Sequence, residues 1–378
     1  MNHTVKYTLR KSFTFSTRRD ATQDRGTTWI MNSRGVLLCT AAAVLFGASA
    51  PAASRLADDM SAFTLAGLLY LGAAIAVMPI VVRDPPSAPT LRRGGSRLAV
   101  AVVVGGAIAP VLLAAGLTRT SAASASLLLN LELGFTVVLA GLLFGEHLGR
   151  RVVTGTLAVV AGGVVLAWSA STDLRIGALL IAGACACWAI DNCVTAALDE
   201  LAPSHITFVK GLIAGSVNLV IGIAVTGAST GAAASVAWAL VVGAIGYGVS
   251  ITLWVGGARE LGAARGQLVF ATAPFIGAVM AWTLFDDQPT IRELAALAVA
   301  AAGVSLVLGS DHEHEHHHDE AEHDHEHRHD DVHHVHPHKV AVQGRHRHRH
   351  HHDHVVHHHP HVPDLHHRHG HADIGTPT

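Results

Sequence analysis

The sequence predicts an all-α integral membrane protein: ten transmembrane helices arranged as two inverted five-helix repeats, followed by a disordered histidine-rich tail. Three observations carry this reading. Ten apolar runs of membrane-spanning length lie between Arg34 and Gly309. Lys and Arg concentrate in alternate loops. The chain also matches itself at a displacement of 141 residues.

Half of the 378 residues are apolar and only 14% are charged, against roughly a quarter charged in soluble domains. A helix needs about 20 mainly apolar residues to cross the hydrocarbon core. The runs that meet this are 35–53, 62–82, 98–117, 123–144, 152–170, 174–194, 206–227, 233–257, 264–285 and 291–309. Small residues in GASAPAAS (47–54) give the first run a rival reading as a cleaved signal peptide. Nine further runs favour a spanning helix. Residues 1–33 are polar and basic and are expected to be disordered, with Met31 a second candidate start. The formal net charge of −2 offers no basic field for nucleic acid. Cys39, Cys185, Cys187 and Cys193 sit in apolar runs without disulfide-type spacing and read as small buried side chains.

Short loops rich in Lys and Arg stay in the cytoplasm. The loops after helices 2, 4, 6 and 8 carry Arg83, Arg92, Arg93, Arg97, Arg150, Arg151, Arg259 and Arg265. The opposite loops carry Arg55, Arg119, Arg175 and Arg292. Lys6, Arg10, Lys11, Arg18, Arg19, Arg25 and Arg34 add to the first side. Both termini, and the tail, are therefore expected in the cytoplasm, with the helices in the plasma membrane.

The 141-residue shift superposes helices 3–5 on helices 8–10 without a gap. Ala122/Ala263, Leu127/Leu268, Val138/Val279, Phe144/Phe285 and Gly162/Gly303 coincide, and FGE (144–146) matches FDD (285–287). Each half has five helices, an odd number, so the second half enters the bilayer inverted. Secondary transporters are built this way, around a midplane site exposed alternately to each side. The units are 34–170 and 174–309, with the tail at 310–378.

ASLLLNLELGFTVVLAGLLFGEHLGRRVVTGTLAVVAGGVVLAW (125–168) and TAPFIGAVMAWTLFDDQPTIRELAALAVAAAGVSLVLG (272–309) resemble the two EamA repeats of the drug/metabolite transporter superfamily. The resemblance covers about residues 34–309. It implies ten helices in a five-plus-five inverted arrangement and the movement of small organic solutes. It also implies a mid-helix proline in helices 4 and 9. Pro274 meets that expectation as a helix kink, while helix 4 departs from it, with Leu133 beside Glu132 at the matching position.

Carboxylates at membrane depth are costly and rarely face lipid. Glu132, with Asn130 nearby, lies near the centre of helix 4 and reads as a proton- or cation-coupling site, against the plainer reading of a hydrogen-bonded helix glue. Asp191 and Asn192 lie in the cytoplasmic half of helix 6, and Lys210 one turn into helix 7 on the same side. Depth permits an Asp191–Lys210 pair, as glue or as an inner gate. Gly211 and Gly215 form a small-xxx-small pair for close packing. Asn218 is a weaker cavity candidate, and Trp188, Trp254 and Trp282 are cavity-lining or packing residues. No P-loop, nucleophile elbow or HExxH motif is present, so neither ATP-driven transport nor enzymatic catalysis is expected.

Of the 30 histidines, all but His3, His147 and His205 lie beyond Ser310. His312, His314, His316, His317, His318, His323, His325, His327 and His329 alternate with Asp and Glu in DHEHEHHHDEAEHDHEHRHDD (311–331). Neutral imidazoles favour Ni, Cu, Zn and Co over Mg or Ca. This composition predicts a many-site metal buffer or a solubilising tail, with no cofactor required for the core. Three functions follow: an organic-solute transporter, favoured here; a Ni/Co/Zn exporter fed by the tail; and a membrane-anchored metal sensor. The transport core has no central histidine, which weighs against the second reading. Oligomeric state is open, a homodimer being one alternative.

Overall fold

In hydrocarbon every backbone N–H and C=O must be satisfied within the protein, so long apolar segments become helices. The computed structural model describes residues 24–144, 149–168, 172–196, 198, 201–226, 232–261, 266, 269–285 and 287–308, and the tail segments 312–318, 321–327, 346–352 and 355–361. The helices are helix 1 (Asp24–Ala57), helix 2 (Ala62–Arg83), helix 3 (Gly95–Leu117), helix 4 (Ala122–Leu128 continued by Leu131–Phe144) and helix 5 (Arg150–Ala167). The second half supplies helix 6 (Thr172–Ala196), helix 7 (Pro203–Thr226), helix 8 (Ala233–Gly243 through Ser250–Leu261), helix 9 (Ala273–Leu284) and helix 10 (Ile291–Leu308). Among the described residues, eight helices are long and apolar enough to cross a membrane, and the shorter apolar helix 9 and helix 10 pack onto the same bundle. The protein is a multi-pass membrane protein.

Helix starts follow local chemistry. Ser61 before helix 2, Ser87 before a short helix at Ala88–Arg93 and Ser121 before helix 4 each accept a backbone N–H three residues on, at 3.1, 3.2 and 3.1 Å, satisfying donors that a helix leaves open. Leu65, Leu69, Leu113, Leu128, Val159 and Ile181 fill the interior. Val82, Leu142, Leu179 and Val220 are exposed, an apolar outer surface suited to lipid.

Helix 2 packs on helix 7 and helix 5 on helix 10; helix 1 packs on helices 8 and 9, while helix 6 packs on helices 3 and 4. Exchanging the two halves maps each of these pairings onto another of them or onto itself. Between helices 2 and 7 the sequence expectation for Gly211 and Gly215 is met. A Cβ on Gly211 would lie 2.5 Å from the Tyr70 carbonyl oxygen, and one on Gly215 would lie 2.9 Å from the Leu71 nitrogen. Gly211→Val is therefore expected to force these helices apart and to lower the melting temperature of the detergent-solubilised protein by several degrees, through overpacking of about 1–3 kcal/mol. An unchanged melting temperature would contradict this close approach.

Several expectations need correction. Helix 1 begins at Asp24, so the N-terminal segment expected to lack structure is helical over its last ten residues, 24–33. The single ninth run, 264–285, is interrupted, with a turn at Ala271–Thr272 before the regular helix starts at Ala273. Helices 3 and 8 are not regular α-helices: Ala101–Ile108 and Ala244–Val249 are π-helical, at positions that nearly coincide under the 141-residue shift. Periodicity does not distinguish a π turn from an α turn, and the extra residue per turn frees carbonyls for other partners.

The tail, expected to be without regular structure, has paired backbone segments. Residues 312–318 run antiparallel to 355–361, and 321–327 to 346–352. Antiparallel pairing satisfies backbone groups without a hydrophobic core, although a two-stranded ribbon is marginal in isolation. The candidate metal ligands His312, His314, His316, His317 and His318 fall on the first strand and His323, His325 and His327 on the second. His329 lies outside the described residues.

Candidate functional site

The site is built where helices 2, 3, 4, 6 and 7 meet. Helix 4 breaks at Leu129–Asn130, immediately before Glu132, although no proline is present. Tight three-residue bonds replace helical ones: Asn130 N to Leu127 O and Leu133 N to Asn130 O, at 3.2 and 3.1 Å. Side chains take up the carbonyls that the break releases. Asn130 Nδ2 donates to Leu127 O at 3.0 Å, and the Cys185 thiol on helix 6 faces Leu128 O and Leu129 O at 3.7 and 3.9 Å. Asn130 thus shapes the backbone that presents Glu132.

Glu132 is half-buried. Its Oε1 accepts from Asn192 Nδ2 at 2.8 Å, and Asn192, which is exposed, also reaches Thr136 Oγ1 at 3.4 Å. One residue earlier on helix 6, Asp191 is buried and ion-paired with Lys210 of helix 7, a pair that depth along the sequence permits. Thr195 Oγ1 donates to the other Asp191 oxygen at 3.1 Å. Glu132 lies within electrostatic reach of both Asp191 and Lys210, so the two pairs form one polar cluster.

The π segment of helix 3 supplies the floor of this cluster. A Cβ on Gly105 would fall on the Asp191 carboxylate. The Gly105 carbonyl accepts from Tyr70 Oη at 2.8 Å and from Trp188 Nε1 at 3.1 Å. Asn218 Nδ2 donates to Ala107 O at 3.1 Å in the same segment. Asn218 is therefore a brace for helix 3 in this structure. Tyr70, Gly105, Thr136 and Thr195 were not singled out by sequence reasoning. Rarity was the one available signal: the chain has three tyrosines, and two of them, Tyr70 and Tyr247, lie here within ring contact, 6.1 Å between centroids.

A model of the EamA-like transporter family matches residues 33–168 and again 175–309. The chain belongs to the EamA-like transporter family. An uncharacterized transporter of Methanothermobacter thermautotrophicus is 26% identical over 296 residues, covering 72% of this chain and 85% of the relative. An uncharacterized protein of Pseudomonas aeruginosa is 29% identical over 285 residues, covering 74% and 96%. A solved crystal structure shares the fold at a TM-score of 0.55 and 17% identity, covering 72% of this chain and 94% of that one. The family match stops at residue 309, so the tail lies outside it.

As an EamA-like protein the chain departs from the expected mid-helix proline of helix 4, yet that helix is broken. The break at Leu129–Asn130 and the turn at Ala271–Thr272 stand one residue apart under the 141-residue shift. Pro274 occupies the first turn of helix 9, where its missing N–H would have no intrahelical partner in any case. In helix 4, Asn130 and Cys185 serve the freed carbonyls that a proline kink would leave.

The opposite end of the bundle is tied by a second polar group. Thr290 and Glu293 form a reciprocal cap at the start of helix 10, with Thr290 N to Glu293 Oε2 at 3.0 Å and Glu293 N to Thr290 Oγ1 at 3.2 Å. The other Glu293 oxygen accepts from Ser121 and Ser124 of helix 4 at 2.7 and 2.8 Å. Asp287 accepts from Ala123 N at 3.1 Å. Arg55 of helix 1 donates to Phe285 O and lies over the Phe285 ring. TIRE (290–293) carried a legible capping signature; its cross-repeat partners were not legible.

Among the described residues, no three His, Cys, Asp or Glu side chains come together as metal ligands. Cys185 and Cys193 are buried on helix 6, and Cys187 is half-buried between them.

Proposed function

We propose that this EamA-like protein is a secondary-active transporter of a small organic metabolite or drug, working by alternating access with Glu132 as the proton-coupling group. The observation that carries the reading is a half-buried carboxylate at the broken centre of helix 4, hydrogen-bonded to an exposed Asn192. A carboxylate placed there can exchange its proton with one side of the membrane while neighbouring helices exclude the other. The half-exchange symmetry of the helix pairings supports an inverted repeat of ten spanning helices. The Glu293, Asp287 and Arg55 contacts close one end of the bundle, while Asn192 remains accessible on the side of the Asp191–Lys210 pair. The loop arginines support a plasma-membrane orientation with both termini in the cytoplasm.

The test is flux into liposomes containing the purified chain, screened over small organic solutes under an imposed pH gradient. Uptake that depends on the gradient and disappears with Glu132→Gln supports the reading. Gradient-independent uptake in both chains removes the coupling role.

A metal-binding function of the tail rests on its composition and is a separate proposal. His312, His314, His316, His317, His318, His323, His325, His327 and His329 serve there as a cytoplasmic pool of imidazole ligands for Ni, Zn, Co and Cu ions. If the tail feeds metal to a transport path, cells expressing the full chain hold less Ni, Co and Zn than cells expressing a chain ending at Ser310. Unchanged or raised metal content leaves the tail as a buffer. A drop retained on truncation places metal movement in the helices.

A further inference from the structure

The paired strands of the tail set histidine against histidine. The two ladders, 312–318 with 355–361 and 321–327 with 346–352, keep one register. In the first, His312, His314 and His316 stand opposite His361, His359 and His357. In the second, His323, His325 and His327 stand opposite His350, His348 and His346. Alternate positions of a strand share a face, so each ladder carries three histidine rungs on one face. Positions opposite one another lie about 4.5–5.5 Å apart at Cβ, and successive rungs on one face about 7 Å apart.

The intervening positions favour pairing of the two arms. Glu322, Asp324 and Glu326 make the first arm of the second ladder acidic, while RHRHRHHH (345–352) makes its other arm basic. Asp324 stands opposite Arg349 and Glu326 opposite Arg347. Opposite charges across a ladder support pairing, and like charges oppose it. A slip of one residue would set His325 against Arg349 and Asp324 against His350, losing the rungs and the charge matches together.

We infer that each ladder holds one divalent cation of the Ni, Cu, Zn and Co class between four histidines of two successive rungs, two from each arm. Nitrogen donors select these ions over Mg or Ca. Each rung brings two histidines, so three rungs complete one set of four and leave one rung over. The two ladders therefore hold two tight ions, and the remaining histidines bind further ions more weakly. Register supplies the positions, and the ion draws the imidazoles together and ties the arms to one another. This inference rests on the reading of the tail as a ligand pool and gives that pool its sites and stoichiometry.

Titration of the full chain in detergent with Ni²⁺ and with Zn²⁺, in excess Mg²⁺, tests it. The expected result is two ions per chain bound at least tenfold tighter than the rest. The middle rung belongs to both possible sets of a ladder, so His325→Gln/His348→Gln is expected to remove one of the two. His327→Gln/His346→Gln removes as many histidines but spares two adjacent rungs, and is expected to keep both. Asp324→Arg sets like charge against Arg349 and is expected to weaken one tight site about threefold, with Asp324→Arg/Arg349→Asp restoring it. Binding without a break at two ions overturns the inference and leaves the ligand pool standing. Equal losses from the middle-rung and outer-rung variants, or no recovery in the charge swap, do the same. Absence of Ni²⁺ and Zn²⁺ binding by the full chain defeats both readings.

Discussion

Glu132→Gln is expected to reduce gradient-driven flux to background while leaving the protein folded, with a melting temperature close to that of the parent. Glutamine keeps the side-chain carbonyl that accepts from Asn192 Nδ2, so the 2.8 Å contact and the helix 4 break can persist. What it loses is the ability to ionise. A site that cannot change protonation state cannot carry a proton through the transport cycle, whereas a carboxyl acting only as helix glue would be replaced by the amide at little loss. Flux assays on correctly folded Glu132→Gln protein decide between the two: retained coupled flux would leave Glu132 a structural residue. Asn192→Ala is a useful companion, because it removes the hydrogen bond and leaves the titrating group in place.

Lys210→Met is expected to be the most destabilising single substitution in the cluster. The Lys210 and Asp191 side chains are 14% and 6% exposed, so removing the cation strands a buried carboxylate. Breaking a buried pair in this way costs about 3–5 kcal/mol, largely because the remaining charge has no partner. Asp191 has a second donor in Thr195, but a neutral hydroxyl does not offset its charge. The double variant Asp191→Asn/Lys210→Met removes both charges, and is expected to recover most of the lost stability in a thermal melt. If the double variant melts no higher than Lys210→Met alone, the pair is not the source of the loss. Flux through the rescued protein then distinguishes glue from gate: normal flux marks a structural pair, and a stable but inactive protein marks a group that takes part in the cycle.

The helices themselves were legible because spanning length and apolarity are local properties. Each run of about 20 apolar residues has one way to satisfy its backbone in lipid. The Asp191–Lys210 pair was legible for a related reason: residues at equal depth on consecutive antiparallel helices can meet, and an unpaired charge there is costly. Gly211 and Gly215 announced their close contact through spacing alone. Asn130 and Asn218 were singled out as polar groups at membrane depth, and the sequence did not show which groups they bond. Each donates to a main-chain carbonyl of a distorted helix, Leu127 O or Ala107 O, and the distortions themselves leave no local mark in the sequence.

What the residues indicated alone, then, was the membrane environment, two repeats read at 34–170 and 174–309 where the family matches fall at 33–168 and 175–309, the separate histidine-rich tail, and a shortlist of costly polar groups. Each depends on composition, spacing or charge counted along the chain. Only the tertiary structure decided that helix 4 breaks without a proline, that helix 3 becomes π-helical at Gly105, and that Tyr70 and Trp188 converge on the Gly105 carbonyl from helices 2 and 6. It likewise decided that Glu293 bridges helix 10 to Ser121 and Ser124 on helix 4, some 170 residues away in sequence. These are contacts between elements distant in the chain, where a freed carbonyl or a buried carboxylate takes whichever donor the packing brings near. Depth along a helix narrows which residues can meet, but neither depth nor periodicity says which distant helix will supply the partner.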